Sequence, residues 1–252
     1  MKIDACYCTY KKDLMWICYS LQLLRKHLQG EFGIVVVAEE DCKDTIDQWG
    51  IPGVTYQYVK PWIDGYHHAM YQKLNMDTRS EADLLMLLDS DHLLMRPTSI
   101  ESTLENGKPL VFYRNWDDYP DQPDMRIARE QWGPPTERCL GIPLDHDYMC
   151  GPPFNFWRDT FAATRARIEK VTGQPLYDVC YSDLPYDYRN FLNHPKRFCD
   201  YEALGLYSVK FEPERYALKH LPRDNNNPFR VFWSHGDWSA SLQRKLDDLL
   251  SA

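Results

Sequence analysis

Two aspartates separated by one residue, Asp89 and Asp91, close the apolar run Leu84-Leu85-Met86-Leu87-Leu88. Carboxylates at i and i+2 project to the same side of an extended chain. Such a pair supplies hard oxygen ligands for a divalent cation, Mn²⁺ or Mg²⁺, and that cation could neutralise a pyrophosphate. The run before them is short and bounded by charge, as expected of a strand buried on both faces of an α/β sheet. Its carboxyl end is the edge where open parallel sheets bind ligands. The competing reading is a solvated turn after a core strand.

The elements that must position these acids alternate along the chain. Residues 3–7 read as a first strand, and Leu14, Ile17, Cys18, Leu21, Leu24 and Leu28 recur at helical spacing after it. Residues 34–38 and 54–60 read as further strands, with helices over 43–49 and around Tyr66, Ala69, Met70, Lys73 and Leu74. This alternation implies a mostly parallel central sheet flanked by helices, Rossmann-like in kind. No Gly-x-Gly-x-x-Gly follows the first strand and no phosphate-binding Gly-x-x-x-x-Gly-Lys loop is present, so a nucleoside diphosphate would need a metal to hold it. The acids Glu39, Glu40 and Asp41 at the end of the second strand could meet ribose hydroxyls, and Asp41 could equally cap the next helix. Lys73 could reach phosphates as a point charge, or lie solvated on a helix.

Past a strand at 110–113 the composition shifts to Pro, Trp, Tyr and Asp over 115–153. Prolines at this density predict an irregular region without a long helix. Trp116, Asp117, Asp118 and Trp132 combine rings that pack on a pyranose with acids that accept from its hydroxyls, which makes them sugar-binding candidates or parts of a packing loop. Gly151 precedes a helix over 158–171 and by itself reads as a helix entry. An amphipathic helix over 237–250 ends the chain.

The apolar strand followed by Asp89-Ser90-Asp91 resembles the metal-binding motif of GT-A glycosyltransferases, which hold a nucleotide-sugar diphosphate through Mn²⁺ or Mg²⁺. Tyr71-Gln72-Lys73-Leu74 is similar to a stretch in small GT-A-like proteins of bacteria and phages. The resemblance implies a single GT-A domain over residues 1–252, with a nucleotide-binding half (1–92) and an acceptor-binding and catalytic half (93–252) that carries an irregular insertion at 115–150. It also implies nucleotide-sugar contacts from Thr9, Tyr10, Asp13, Asp41, Lys73, Ser90 and Gly151, with UDP as the expected nucleotide. Glu202, with Asp200 as second candidate, looks like the acidic pair that opens a later helix and deprotonates the acceptor hydroxyl of an inverting enzyme. The spacing departs from the pattern, being Asp-x-Glu rather than adjacent acids, and first-turn acids also suit a helix dipole. His235, followed by Gly236, resembles the late histidine that completes the metal shell.

Composition limits the partners. The chain has 252 residues, 44% of them apolar, and a net charge of −8, which argues against a broad phosphate-binding surface. Eight cysteines form no Cys-x-x-Cys module and read as buried thiols. No stretch nears the ~20 apolar residues of a membrane span, and no signal-like segment opens the chain, so a cytoplasmic protein is expected. Acceptors left open are a glycan, a small molecule, or hydroxymethylated bases of phage DNA, the last favoured by basic residues within 126–138 and 158–170. A non-catalytic nucleotide-sugar or carbohydrate-binding protein is the other alternative. Oligomeric state is not legible.

Overall fold

The computed structural model describes residues 1–61, 65–119, 123–181, 198–222, 226–232 and 238–251. Four parallel strands, β1 (Ile3–Thr9), β2 (Gly33–Glu39), β3 (Thr55–Val59) and β4 (Leu84–Asp89), form most of the central sheet. Helices α1 (Leu14–His27), α2 (Lys43–Trp49) and α3 (Gly65–Leu74) connect them. β5 (His92–Leu94) and β6 (Lys108–Tyr113) follow, then α4 (Pro123–Leu140) and β7 (Phe154–Trp157). Further elements, apart from two-residue strands and 3-10 turns, are α5 (Arg158–Thr172), α6 (Leu176–Tyr181), α7 (Asp200–Phe211), β8 (Ala217–His220), β9 (Phe229–Val231) and α8 (Ala240–Ser251).

The five-stranded sheet runs β7-β4-β1-β2-β3, with β7 antiparallel to β4. Leu84 to Leu88 are all buried because β4 has a neighbour on each side and helices on both faces. Alternate residues serve two cores. Cys6, Val35, Leu85 and Leu87 pack with Met70 and Leu74 of α3, Phe161 of α5 and Leu204 of α7. Ala5, Val36, Met86 and Leu88 pack with Ile17, Leu21 and Leu24 of α1 and Ile46 of α2. The outer side of α1 is covered in turn by α8, through Trp16, Leu23 and Leu246. All eight cysteines are free thiols, six of them buried.

The region expected to be irregular holds a long helix, and a strand follows it. α4 spans 18 residues and contains Pro134 and Pro135, against the expectation that prolines exclude a long helix there. Packing outweighs the lost backbone bonds: Thr136 and Leu140 are fully buried, and α4 lies against α5 and α7. Phe154–Trp157, expected only as a lead into a helix, is the antiparallel edge strand. α5 ends as expected, with Gly173 at φ 69° and its N–H bonded to Glu169 at 2.9 Å. Among the described residues, no helix is long and apolar enough to cross a membrane.

Candidate functional site

Parallel register brings the carboxyl ends of four strands to one edge. Cys8 pairs with Asp89, Thr9 with Ala38, and Glu39 with Val59. A narrow cleft lies there, lined by Thr9, Tyr10, Glu39 and Val59 and by Gly65, His68, Ala69 and Gln72 of α3, with room for about one water molecule. Tyr10 lies within the fields of Asp13, Asp91, Glu39 and Asp89, and burial with these charges raises its phenol well above the usual value. The cleft and the Asp89 turn are therefore adjacent.

At that turn Asp89 ends β4 and Asp91 precedes β5, which pairs with β9 so that the Phe232 N–H donates to the Asp91 carbonyl at 3.0 Å. Ligand atoms of Asp89, Asp91 and His92 lie within 4.8 Å of one another, close enough for one divalent cation to bridge. Asp89 is held on several sides. Lys73 Nζ lies 2.5 Å from its Oδ1 and the Tyr201 hydroxyl donates to the same oxygen at 2.9 Å. Burial would raise the Asp89 carboxyl, but Lys73, His92 and Tyr201 outweigh it and hold it below its ordinary value. Asp200, 3.3 Å from Lys73, is raised by burial, which Lys73 only partly offsets. Lys73 stays charged: burial opposes its charge, and Asp200 and Asp89 more than restore it.

The carboxylates fit a hard cation; His92 fits less simply. The Asp89 N–H donates to His92 Nδ1 at 2.9 Å, which places the neutral ring's hydrogen on Nε2, 3.6 Å from Asp89 Oδ2. Burial lowers His92 to about 4, so the ring is neutral at physiological pH. In this tautomer His92 braces Asp89 instead of presenting a lone pair to an ion.

The other residues singled out from sequence separate into groups. Thr9 and Tyr10 line the cleft, and Lys73 and Asp200 join Asp89. Ser90 turns inward, 3.1 Å from Thr9 Oγ1 and 3.3 Å from the Cys8 carbonyl, and pins the turn to β1. Asp13 is buried at the start of α1 with its N–H on the Tyr10 carbonyl, and its side chain makes no cap bond. Asp41 is exposed and outside the cleft lining, where Glu39 stands instead; Cys42, not Asp41, occupies the cap position of α2. Gly151 packs under Leu221, where a Cβ would come within 2.8 Å of that side chain.

Glu202 stands away from Asp200. Its Oε2 accepts the Tyr148 N–H at 2.8 Å, and burial and the Asp147 carboxylate raise it far above the usual carboxyl value. Asp147 in turn accepts from the Tyr119 hydroxyl and the Met149 N–H. Trp116 is half-buried beneath the Arg129 guanidinium, Asp117 is exposed, Asp118 pairs with His220 at 2.8 Å, and Trp132 packs on the core. Among the described contacts none of these four touches the Asp89 cluster. His235 lies outside the described residues. Glu39 belongs to the acids noted at the second strand end, and Gln72 to the stretch at 71–74, whereas His92, Tyr201 and His68 were given no role from sequence. Of these three only His92 had a local signal, adjacency to Asp91.

No known sequence family matches the chain, and no curated protein matches it. Among solved structures, one similar chain is S. aureus TarS 1–349, at 18% identity and a TM-score of 0.29. The match covers 41% of this chain and 30% of that one. A likeness at that score carries no weight for fold or activity.

Proposed function

We propose that the chain is a metal-dependent glycosyltransferase that moves a sugar from a nucleoside-diphosphate donor, UDP-linked by the resemblance, to an acceptor hydroxyl. The observation that carries this reading is the Asp89 and Asp91 pair beside a cleft at the carboxyl edge of the sheet. In it, Asp89 and Asp91 would hold Mn²⁺ or Mg²⁺. When bound, the cation supplies Lewis-acid stabilisation of the departing diphosphate. Thr9 and Tyr10 bound the nucleoside, and Lys73 sits within reach of its phosphates. His235 remains a sequence-based candidate for the metal shell.

For the acceptor proton, the position of Asp200 beside Lys73 and Asp89 favours it over Glu202 as base in an inverting reaction. Glu202 shares its buried surroundings with Asp147 and Tyr148, a setting that suits a structural proton. A modified-DNA acceptor loses support, since Arg158 pairs with Glu81, Arg165 with Asp77, and Arg167 with the Leu140 carbonyl. A binding protein without turnover remains the second reading, favoured by the ion pair that already occupies Asp89.

A thermal-shift series with nucleoside diphosphates and their sugars, with and without Mn²⁺, tests the donor site. Ligand at 100 times its Kd stabilises the fold by about 2.7 kcal/mol. The expected result is a rise that needs Mn²⁺ and disappears in Asp91→Ala. No rise with any nucleotide would overturn the reading, and a rise without release of nucleoside diphosphate from any sugar donor would leave the binding protein.

A further inference from the structure

A buried lysine holds the carboxylate that a cation would draw on. Lys73 is only 7% exposed, and its Nζ stands 2.5 Å from Asp89 Oδ1, 3.3 Å from Asp200 Oδ2 and 4.2 Å from the centre of the Tyr201 ring. Asp89 Oδ1 thus carries both Lys73 and the Tyr201 hydroxyl, while Oδ2 faces His92. A divalent cation at Asp89 would share that carboxylate with the ammonium and be repelled by it. Asp200 Oδ2, by contrast, is buried and holds the same ammonium at the longer distance of 3.3 Å. It offers the ammonium a second seat within a short side-chain movement.

We propose that Lys73 is a two-position counter-ion that gates cation binding: seated on Asp89 it disfavours the cation, and shifted to Asp200 it frees Asp89 for it. The inference rests on Asp89 and Asp91 being cation ligands. A diphosphate arriving beside the cation gives the ammonium another anionic partner, so cation and diphosphate strengthen each other's binding. By linkage each raises the other's affinity by the same factor.

Mn²⁺ binding, followed by electron paramagnetic resonance of the free ion with and without UDP and corrected for the Mn²⁺–UDP complex, tests this. Wild-type protein should bind Mn²⁺ weakly alone and roughly tenfold more tightly with UDP, within the usual range of such couplings. Lys73→Met should bind Mn²⁺ alone roughly tenfold more tightly than wild type and lose most of the UDP enhancement. Asp200→Asn removes the second seat without touching the cation ligands, and should weaken Mn²⁺ binding. Arg79→Gln, which removes a nearby positive charge that touches neither acid, should change little. Lys73→Met binding Mn²⁺ no better than wild type would overturn the gate, as would an equal effect from Arg79→Gln. If Lys73→Met does not fold, Asp200→Asn decides, and unchanged Mn²⁺ affinity in it overturns the exchange. Wild-type binding that vanishes in Asp91→Ala upholds the cation site even where the gate fails; absence of Mn²⁺ binding in every variant removes both.

Discussion

Asp200 and Glu202 stand two residues apart in the first turn of α7 and serve different neighbours. Asp200 lies 3.3 Å from the Lys73 ammonium, whereas Glu202 accepts the Tyr148 N–H at 2.8 Å. Successive helical residues turn by about 100°, so i and i+2 point to nearly opposite sides. One acid faces the strand ends and the other faces the loop that carries Asp147.

Their exchange for amides should therefore have unequal effects on turnover. Asp200→Asn is expected to lower sugar transfer by about 10²-fold or more, the usual contribution of a general base. Glu202→Gln should leave transfer within a few-fold of wild type. Release of nucleoside diphosphate from a sugar donor reads both, and the reverse ranking would restore Glu202 as base.

Glu202→Gln should show itself in stability instead. Burial and Asp147 hold the Glu202 carboxyl well above the ordinary range, so the folded chain keeps a proton that the unfolded chain loses above pH ~4.3. The stability this group contributes is complete below that pH and drains away as pH rises toward the raised folded value, by about 1.4 kcal/mol per pH unit. Glutamine keeps an oxygen for Tyr148 and a donor for Asp147 at every pH. In urea unfolding, the variant should match wild type near pH 4 and gain on it steadily above; a difference that does not vary with pH would mean that Glu202 is ionised in the fold.

His92 acts in the opposite sense. Burial lowers its imidazole to about 4, while an unfolded histidine titrates near ~6.5. Its contribution is full above pH ~6.5 and is lost as pH falls toward the folded value, up to ~3 kcal/mol in all. His92→Gln, which still accepts the Asp89 N–H, should flatten the acid limb of the stability profile. His68, also lowered to about 4 by burial and then by Arg79, should leave a residual slope. An acid limb identical in wild type and His92→Gln would show that the ring is protonated where it stands.

The first half of the fold was legible because parallel strands buried on both faces appear in sequence as unbroken apolar runs, as Leu84 to Leu88 do. Asp89 and Asp91 were legible for the same reason, being local to such a strand. Tyr201 was not. It sits among apolar helix residues, and only tertiary structure stacks its ring on Phe154 at 4.0 Å and puts its hydroxyl on Asp89. Among the acids at the end of the second strand, Glu39 still belongs to β2 and is buried at the cleft, whereas Asp41 has passed into the exposed turn, a difference set by where the strand stops. α4 was hidden by Pro134 and Pro135, whose local cost is met by contacts from α5 and α7 that no nearby residue announces.

Gly205 offers a test of how firmly α7 is seated. Alanine in a helix interior is ordinarily better than glycine by up to about 1 kcal/mol. Here a Cβ would stand 2.5 Å from Tyr148 Cβ and 2.8 Å from its Cγ, so either helix or loop must move. Tyr148 is not free to yield, because its N–H is bonded to Glu202 and its hydroxyl donates to Asp145 at 2.8 Å. Overpacking of this kind costs about 1–3 kcal/mol, more than the helix preference returns. Gly205→Ala should accordingly lower the melting temperature by several degrees. The Mn²⁺-dependent shift with nucleotide should persist, since Asp200 lies about 140° around α7 from Gly205 and keeps its own pairing with Lys73. A Gly205→Ala protein as stable as wild type would mean that the loop bearing Asp147 and Tyr148 gives way easily, and that Glu202 does not anchor the helix.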